Sequence, residues 1–90
     1  IAGSDEVAAG MVIEGLANGI RIPEDIAILG VDDQPLASCI QIPLTTIRQP
    51  IREIAEESVH HLFDLLDGKS SHQHKIFPGE LLEQESTRAL

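Results

Sequence analysis

Few residues of this 90-residue chain have the type and spacing that chemistry requires. The clearest are two adjacent acids, Asp32-Asp33, at the end of the apolar run Ile26-Ala27-Ile28-Leu29-Gly30-Val31. A carboxylate at a strand end can accept paired hydrogen bonds from sugar hydroxyls or base N–H groups. In open α/β sheets ligands gather at the carboxyl ends of strands. Successive strand residues face opposite ways, so one acid can enter a cleft while its neighbour ties down the loop. The competing reading is structural, two acids closing a turn ahead of Pro35.

The remaining candidates are weaker. His60 and His61 sit side by side in a helical pattern, and His72 and His74 lie in the polar loop KSSHQHK, residues 69–75. Adjacent helical positions diverge by about 100°, so His60 and His61 do not share a metal, and the H-x-H pair has no third ligand nearby. Solvated histidines and no metal site are therefore expected. Ser4, Ser38 and Cys39 belong to no nucleophile elbow or Cys/His signature, and Cys39 reads as a small packed residue. No catalytic constellation and no glycine-rich phosphate cradle is present, so the expectation is a protein that is not an enzyme and needs no cofactor.

The elements that must position the acids are legible from periodicity. Ile1-Ala2-Gly3 reads as the end of a buried strand, and Ser4-Asp5-Glu6 as a helix N-terminus with a hydroxyl cap and two acids at the positive end of the dipole. The helix VAAGMVIEGLAN stops at Asn18-Gly19, with Pro23 a few residues beyond. Glu6, Gly10, Glu14 and Asn18 form one narrow polar stripe; Ala8, Met11, Val12 and Gly15 are the expected core face, and Ala9, Ile13 and Leu16 widen the apolar arc. A helix this apolar is normally covered on two sides, by its own sheet and by a second surface such as another subunit.

Residues 26–31 show no alternation, which predicts a strand buried on both faces in a parallel sheet, completing a βαβ unit. An irregular loop follows, then a short strand over Thr45 to Arg48. A second, amphipathic helix opens near Pro50 and ends at Asp67-Gly68, its apolar positions being Ile51, Ile54, Ala55, Val59, Leu62, Phe63, Leu65 and Leu66. Ile76-Phe77 is expected to start a strand, Pro78 to interrupt it, and residues 79–87 to continue extended.

Composition narrows the class. The chain carries 15 acidic and 6 basic residues, a formal charge of −9, and the bases are scattered, so its surface repels phosphate and should not grip nucleic acid by itself. A single cysteine forms no internal disulfide, which fits a reducing compartment. No apolar stretch approaches the roughly 20 residues of a membrane helix, and no basic-then-apolar leader is seen. The expected setting is cytoplasmic, away from membranes. With no Trp, no Tyr and only 2 Phe, the core must be built on small aliphatics, and the opening in mid-strand without Met suggests a piece of a larger fold.

SDEVAAG, GIRIPEDIAILGVDD, PLTTIRQPIREIA and ELLEQEST, in this order and close spacing over nearly the whole chain, resemble the lactose-repressor/galactose-repressor family of bacterial transcription regulators. The resemblance implies the C-terminal portion of an effector-binding core with a type I periplasmic-binding-protein fold: parallel sheets flanked by helices in two hinged α/β subdomains. It places residues 1–46 in the C-terminal subdomain, 47–77 in the crossover and helix of the N-terminal subdomain, and 78–90 in the return. It makes Arg48, Gln49 and Pro50 the hinge crossover. Asp32 and Ser4 become effector contacts, with Ser4 standing where the family often has Asn and Val31 where an aromatic is common. Ala9, Ile13, Cys39 and Ile40 become the interface of a homodimer, the same helix face that polarity marked out.

The implied function is an effector-responsive transcriptional repressor, its effector a small molecule of the sugar class, reaching operator DNA through a headpiece not among these residues. A secreted solute-binding protein of the same fold is the alternative, favoured less by the PLTTIRQP block and the apolar helix arc. A receiver-type phosphotransfer domain also has acids at a strand end. There a helix follows directly, whereas here Gln34-Pro35-Leu36 opens a loop.

Overall fold

The computed structural model describes residues 1–69 and 75–88, so His72 and His74 lie outside the described residues. The chain divides into two compact units: Ile1–Arg48 together with the segment from Glu80 onward, and Gln49–Gly79.

In the first unit, helix α1 spans Asp5–Ala17. Ser4, in extended conformation, caps it by accepting the Val7 N–H at 3.3 Å. At the other end Gly19 adopts φ 77°, which glycine reaches without a Cβ penalty. The Ile20 N–H then reaches the Gly15 carbonyl at 2.9 Å and the Gly19 N–H reaches Leu16 at 3.1 Å, a Schellman closure of the orphan carbonyls. Asp5, Ala8, Ala9 and Val12 are its buried residues, one stripe at helical spacing. Met11, expected in the core, is instead 45% exposed. The stripe centres on Ala8, and Met11 lies on the flank, over a shallow apolar depression of about 410 Å³ shared with Ile20, Ile22, Ile26 and Ile28.

Strand β1 is Leu29–Val31, and a short 3-10 turn follows over Pro35–Ser38. β2 is Thr45–Arg48 and β3 is Glu80–Leu82. The sheet order is β1-β2-β3, with β1 parallel to β2 and β2 antiparallel to β3. The expected parallel sheet is therefore mixed. The reason is topological: the chain leaves β2 at Arg48 and re-enters beside it at Glu80, so β3 must run back along β2.

β1 is also shorter and less covered than its apolar run suggests. Ile28 and Gly30 are buried, Leu29 and Val31 half-buried, and Ile26 and Ala27 exposed. The Ile28 N–H bonds to the Ser86 carbonyl at 2.9 Å, and the Ala2 N–H to the Leu29 carbonyl at 2.9 Å, so irregular segments flank the strand. The expected strand end at residues 1–3 is thus an extended segment beside β1. The core of this unit is Ala2, Ala8, Ala9, Val12, Ile22, Ile28, Ala37 and Leu44, small side chains that let helix and sheet approach closely.

The second unit holds helix α2, Ile51–Leu66, with Pro50 at its N-cap position. Gly68, at φ 77°, lets the Lys69 N–H close on the Asp64 carbonyl at 2.9 Å. None of its residues is buried, and Leu62, Phe63, Leu65 and Leu66 stand exposed. Lys75 pairs with Glu57 at 3.0 Å and lies 5.6 Å from the Phe77 ring centroid. Ile76 and Phe77 form no strand, contrary to the sequence expectation. The first strand after α2 among the described residues is β3.

Candidate functional site

The ladder of β1 ends at Val31↔Ile47, and the Asp32 N–H adds one more bond to the Ile47 carbonyl at 2.9 Å. The backbone then turns sharply: Asp32 has φ 118° and Asp33 φ 58°. Non-glycine residues rarely adopt positive φ, Asp and Asn more readily than most. Such positions cost about 1–3 kcal/mol each and persist only where surrounding structure over-determines them.

Contacts from α1 and β2 hold this turn. The Asp33 N–H donates to Thr46 Oγ1 at 3.2 Å. The Gln34 N–H donates to Asp5 Oδ2 at 2.8 Å. Arg48 Nε donates to Asp33 Oδ2 at 2.9 Å. Asp33 is thus fixed to the last residue of β2. The same bond, and then the attraction of the Asp33 charge, raises the Arg48 pKa above its ordinary value. Arg48 also approaches Glu80 at 3.5 Å, so the ends of β2 and β3 share one cation.

Behind the turn lies Asp5, fully buried at 0% exposure. Thr46 donates its hydroxyl to Asp5 Oδ1 at 2.7 Å, and the other carboxylate oxygen receives Gln34. The sequence suggested only a helix-dipole role for this acid. A signal was present in Gly30, a glycine inside an apolar run, which marks a close backbone approach. A Cβ at Gly30 would overlap the Asp5 carboxylate and sit 3.3 Å from the Ala8 Cβ.

A second buried polar group closes the far edge. The Ser86 hydroxyl donates to the Ile28 carbonyl at 2.5 Å and accepts the Thr45 N–H at 2.8 Å. Thr45 Oγ1 meets Thr87 Oγ1 at 2.6 Å and accepts the Gln84 N–H at 2.9 Å. The two adjacent threonines of β2 therefore serve opposite neighbours: Thr46 reaches α1 and the acid turn, Thr45 the C-terminal segment. Among the described residues, every buried side-chain nitrogen and oxygen has a partner.

The other residues singled out by sequence fall as follows. Ser4 and Asp32 are both half-buried, Ser4 ahead of α1 and Asp32 at the end of β1, and the Asp5–Gln34 bond ties the start of α1 to the loop after β1. Ala9 is 7% exposed and belongs to the core, whereas Ile13 is 51% exposed. Cys39 is an exposed free thiol and Ile40 is half-buried against the core. Arg48, Gln49 and Pro50 are the residues at which the chain leaves the first unit and enters the second. Among the described residues no three His, Cys, Asp or Glu side chains group as metal ligands, and no helix is long and apolar enough to cross a membrane.

The acid turn stands at the carboxyl end of a strand, the end at which ligands gather in open α/β sheets. Residues 1–87 match the periplasmic binding protein-like domain, and the chain belongs to that family. It is similar to the NTD biosynthesis operon regulator NtdR of Bacillus subtilis, at 33% identity over 94% of this chain and 26% of the relative. Among solved structures it is similar to the lac repressor dimer bound to operator and the anti-inducer ONPF, with TM-score 0.84 and 32% identity over 97% of this chain and 30% of that one. It is also similar to a LacI family transcriptional regulator from Lactobacillus casei with bound glucose, with TM-score 0.74 and 38% identity over 96% of this chain and 30% of that one. These similar proteins are transcription regulators rather than enzymes. The chain spans about a quarter of the length of the curated relatives it matches.

Proposed function

We propose that this chain is part of the effector-sensing and dimerisation region of a cytoplasmic, sugar-responsive transcriptional repressor. The observation that carries the reading is the turn of Asp32 and Asp33, which holds a half-buried acid at the carboxyl end of β1 by contacts from α1 and β2. The similarity to regulators, one of them seen with glucose, supports a sugar as the effector class.

In this reading Asp32 accepts hydrogen bonds from effector hydroxyls and Ser4 contributes a shorter polar contact beside it. Arg48, Gln49 and Pro50 form the crossover between subdomains, with residues 1–46 and 78–90 in one and 47–77 passing through the other. Ile13, Cys39 and Ile40 supply the outer face of a homodimer, with Ala9 beneath them. Effector binding biases a conformational equilibrium by differential affinity, a coupling of about 1–3 kcal/mol. Operator DNA is contacted by a headpiece outside residues 1–90, consistent with a net charge of −9 here.

The test uses the full-length protein. A panel of mono- and disaccharides that includes glucose and sucrose is screened by thermal shift, and the best binder is titrated calorimetrically against wild type and Asp32→Asn. Asparagine keeps the tolerance for positive φ and removes the charge, so the fold is retained. Affinity is expected to fall at least about tenfold, the scale of a lost charge-assisted bond. A panel without binders would end the sugar reading, and an unchanged affinity in Asp32→Asn would end the contact assignment.

A further inference from the structure

We propose that Asp5 is a positioning residue for the effector site, acting with Thr46 to hold the Asp32–Asp33 turn in its binding geometry; this rests on Asp32 being an effector contact. The two oxygens of the buried carboxylate do different work. Oδ2 takes the Gln34 N–H directly, at 2.8 Å. Oδ1 accepts the Thr46 hydroxyl proton at 2.7 Å, which leaves a lone pair on Thr46 Oγ1 to accept the Asp33 N–H at 3.2 Å. One carboxylate therefore fixes the amides of both residues that follow Asp32.

Direction matters in this relay. A hydroxyl has one proton, and because Thr46 gives it to Asp5 it presents an acceptor to Asp33. Asp5 is fully buried, so water does not substitute for either partner. The turn it holds carries two consecutive positive φ angles and would relax if released. Asp5 stands at the first position of α1 and Thr46 in the middle of β2, so the acid turn is referenced to two regular elements rather than to the loop that contains it. Gly30 is the steric counterpart, leaving the space that the carboxylate fills.

The experiment compares Thr46→Val and Thr46→Ser in the full-length protein. Valine keeps the shape and removes the hydroxyl; serine keeps the hydroxyl. Hydrogen exchange followed by mass spectrometry, without ligand, should show exchange over residues 32–36 accelerated about tenfold in the valine variant, with residues 8–16 of α1 within about twofold of wild type. The serine variant should restore protection over 32–36. In the binding arm, the panel sugar bound by wild type should bind Thr46→Val about tenfold more weakly, and adding Asp32→Asn to Thr46→Val should give little beyond the Asp32→Asn loss.

Unchanged exchange over 32–36 in the valine variant, or a serine variant that behaves like valine, would overturn the proposal. So would full additivity of the two substitutions in the binding arm. The exchange arm needs no ligand, so it decides the role of Asp5 and Thr46 on the turn even where the sugar reading itself fails.

Discussion

Arg48 and Asp33, 15 residues apart in sequence, meet at 2.9 Å where β1 and β2 end side by side. The ion pair commits one acid of the Asp32-Asp33 pair to the end of β2, immediately before the chain leaves the first unit. This contact joins the acid turn to the residue at which the chain leaves the first unit. Replacing Arg48 with Leu should loosen both, seen as faster proteolysis or hydrogen exchange over residues 31–34, without collapse of the core to which Arg48 contributes nothing.

Ser86 should prove a stability determinant out of proportion to its size. Its hydroxyl joins Ile28 and Thr45 across the core, and Ser86→Ala removes the partner of a buried carbonyl and a buried N–H together. A loss of about 2 kcal/mol is expected, read from the urea midpoint of the full-length protein.

Gly30→Ala is expected to cost about 1–3 kcal/mol by overpacking against the Asp5 carboxylate and the Ala8 methyl. Gly10→Ala, where an added Cβ meets nothing within 4 Å, is the control and should be neutral or slightly stabilising through helix propensity. Thermal denaturation of the two variants makes the comparison.

Ile13 is half-exposed on α1, so Ile13→Asp should leave the fold of the chain intact while burying a charge in the proposed dimer interface. Size-exclusion chromatography with light scattering should show the full-length protein shifted from dimer to monomer, with dimer affinity reduced by about tenfold or more. A dimer of unchanged affinity would move the interface elsewhere.

The exposed pair Arg21–Asp25 supplies a pH signature. The side-chain and backbone hydrogen bonds from Arg21 hold the Asp25 carboxyl below its ordinary value. A depressed folded-state value means stability that is present above the unfolded-state value and is lost as pH falls through the folded one. Asp25→Asn should therefore lower the melting temperature slightly at neutral pH, and the difference from wild type should vanish in strong acid. The effect is small because both groups face solvent and salt screens them.

Much of the fold was legible from local signals. Ser4 as cap and Asn18-Gly19 and Asp67-Gly68 as stops each follow from bonds that close within a few residues, whereas the strand Thr45 to Arg48 is marked by its β-branched residues although its partners are distant. The resemblance carried by SDEVAAG, GIRIPEDIAILGVDD, PLTTIRQPIREIA and ELLEQEST agrees with the transcription regulators to which the chain is similar, and the fold it implied agrees with the periplasmic binding protein-like match over residues 1–87. Less could be read where partners are distant. Met11 and Ile26 read as interior in the sequence yet stand exposed, because periodicity reports which residues are apolar, not which side the sheet covers.

The sequence by itself determined where helices begin and end, that the core would be small and aliphatic, and that the acids would follow a strand. Only the tertiary structure decided that β3 runs antiparallel to β2, that Asp33 pairs with Arg48, and that Asp5 is buried. The first depends on the pairing of Arg48 with Glu80 and of Thr46 with Leu82, the other two on bonds between residues 15, 29 and 41 apart. A carboxylate at a helix start looks the same in sequence whether it faces water or a strand. Its role is set when the chain closes those loops and removes the water that would otherwise be its partner.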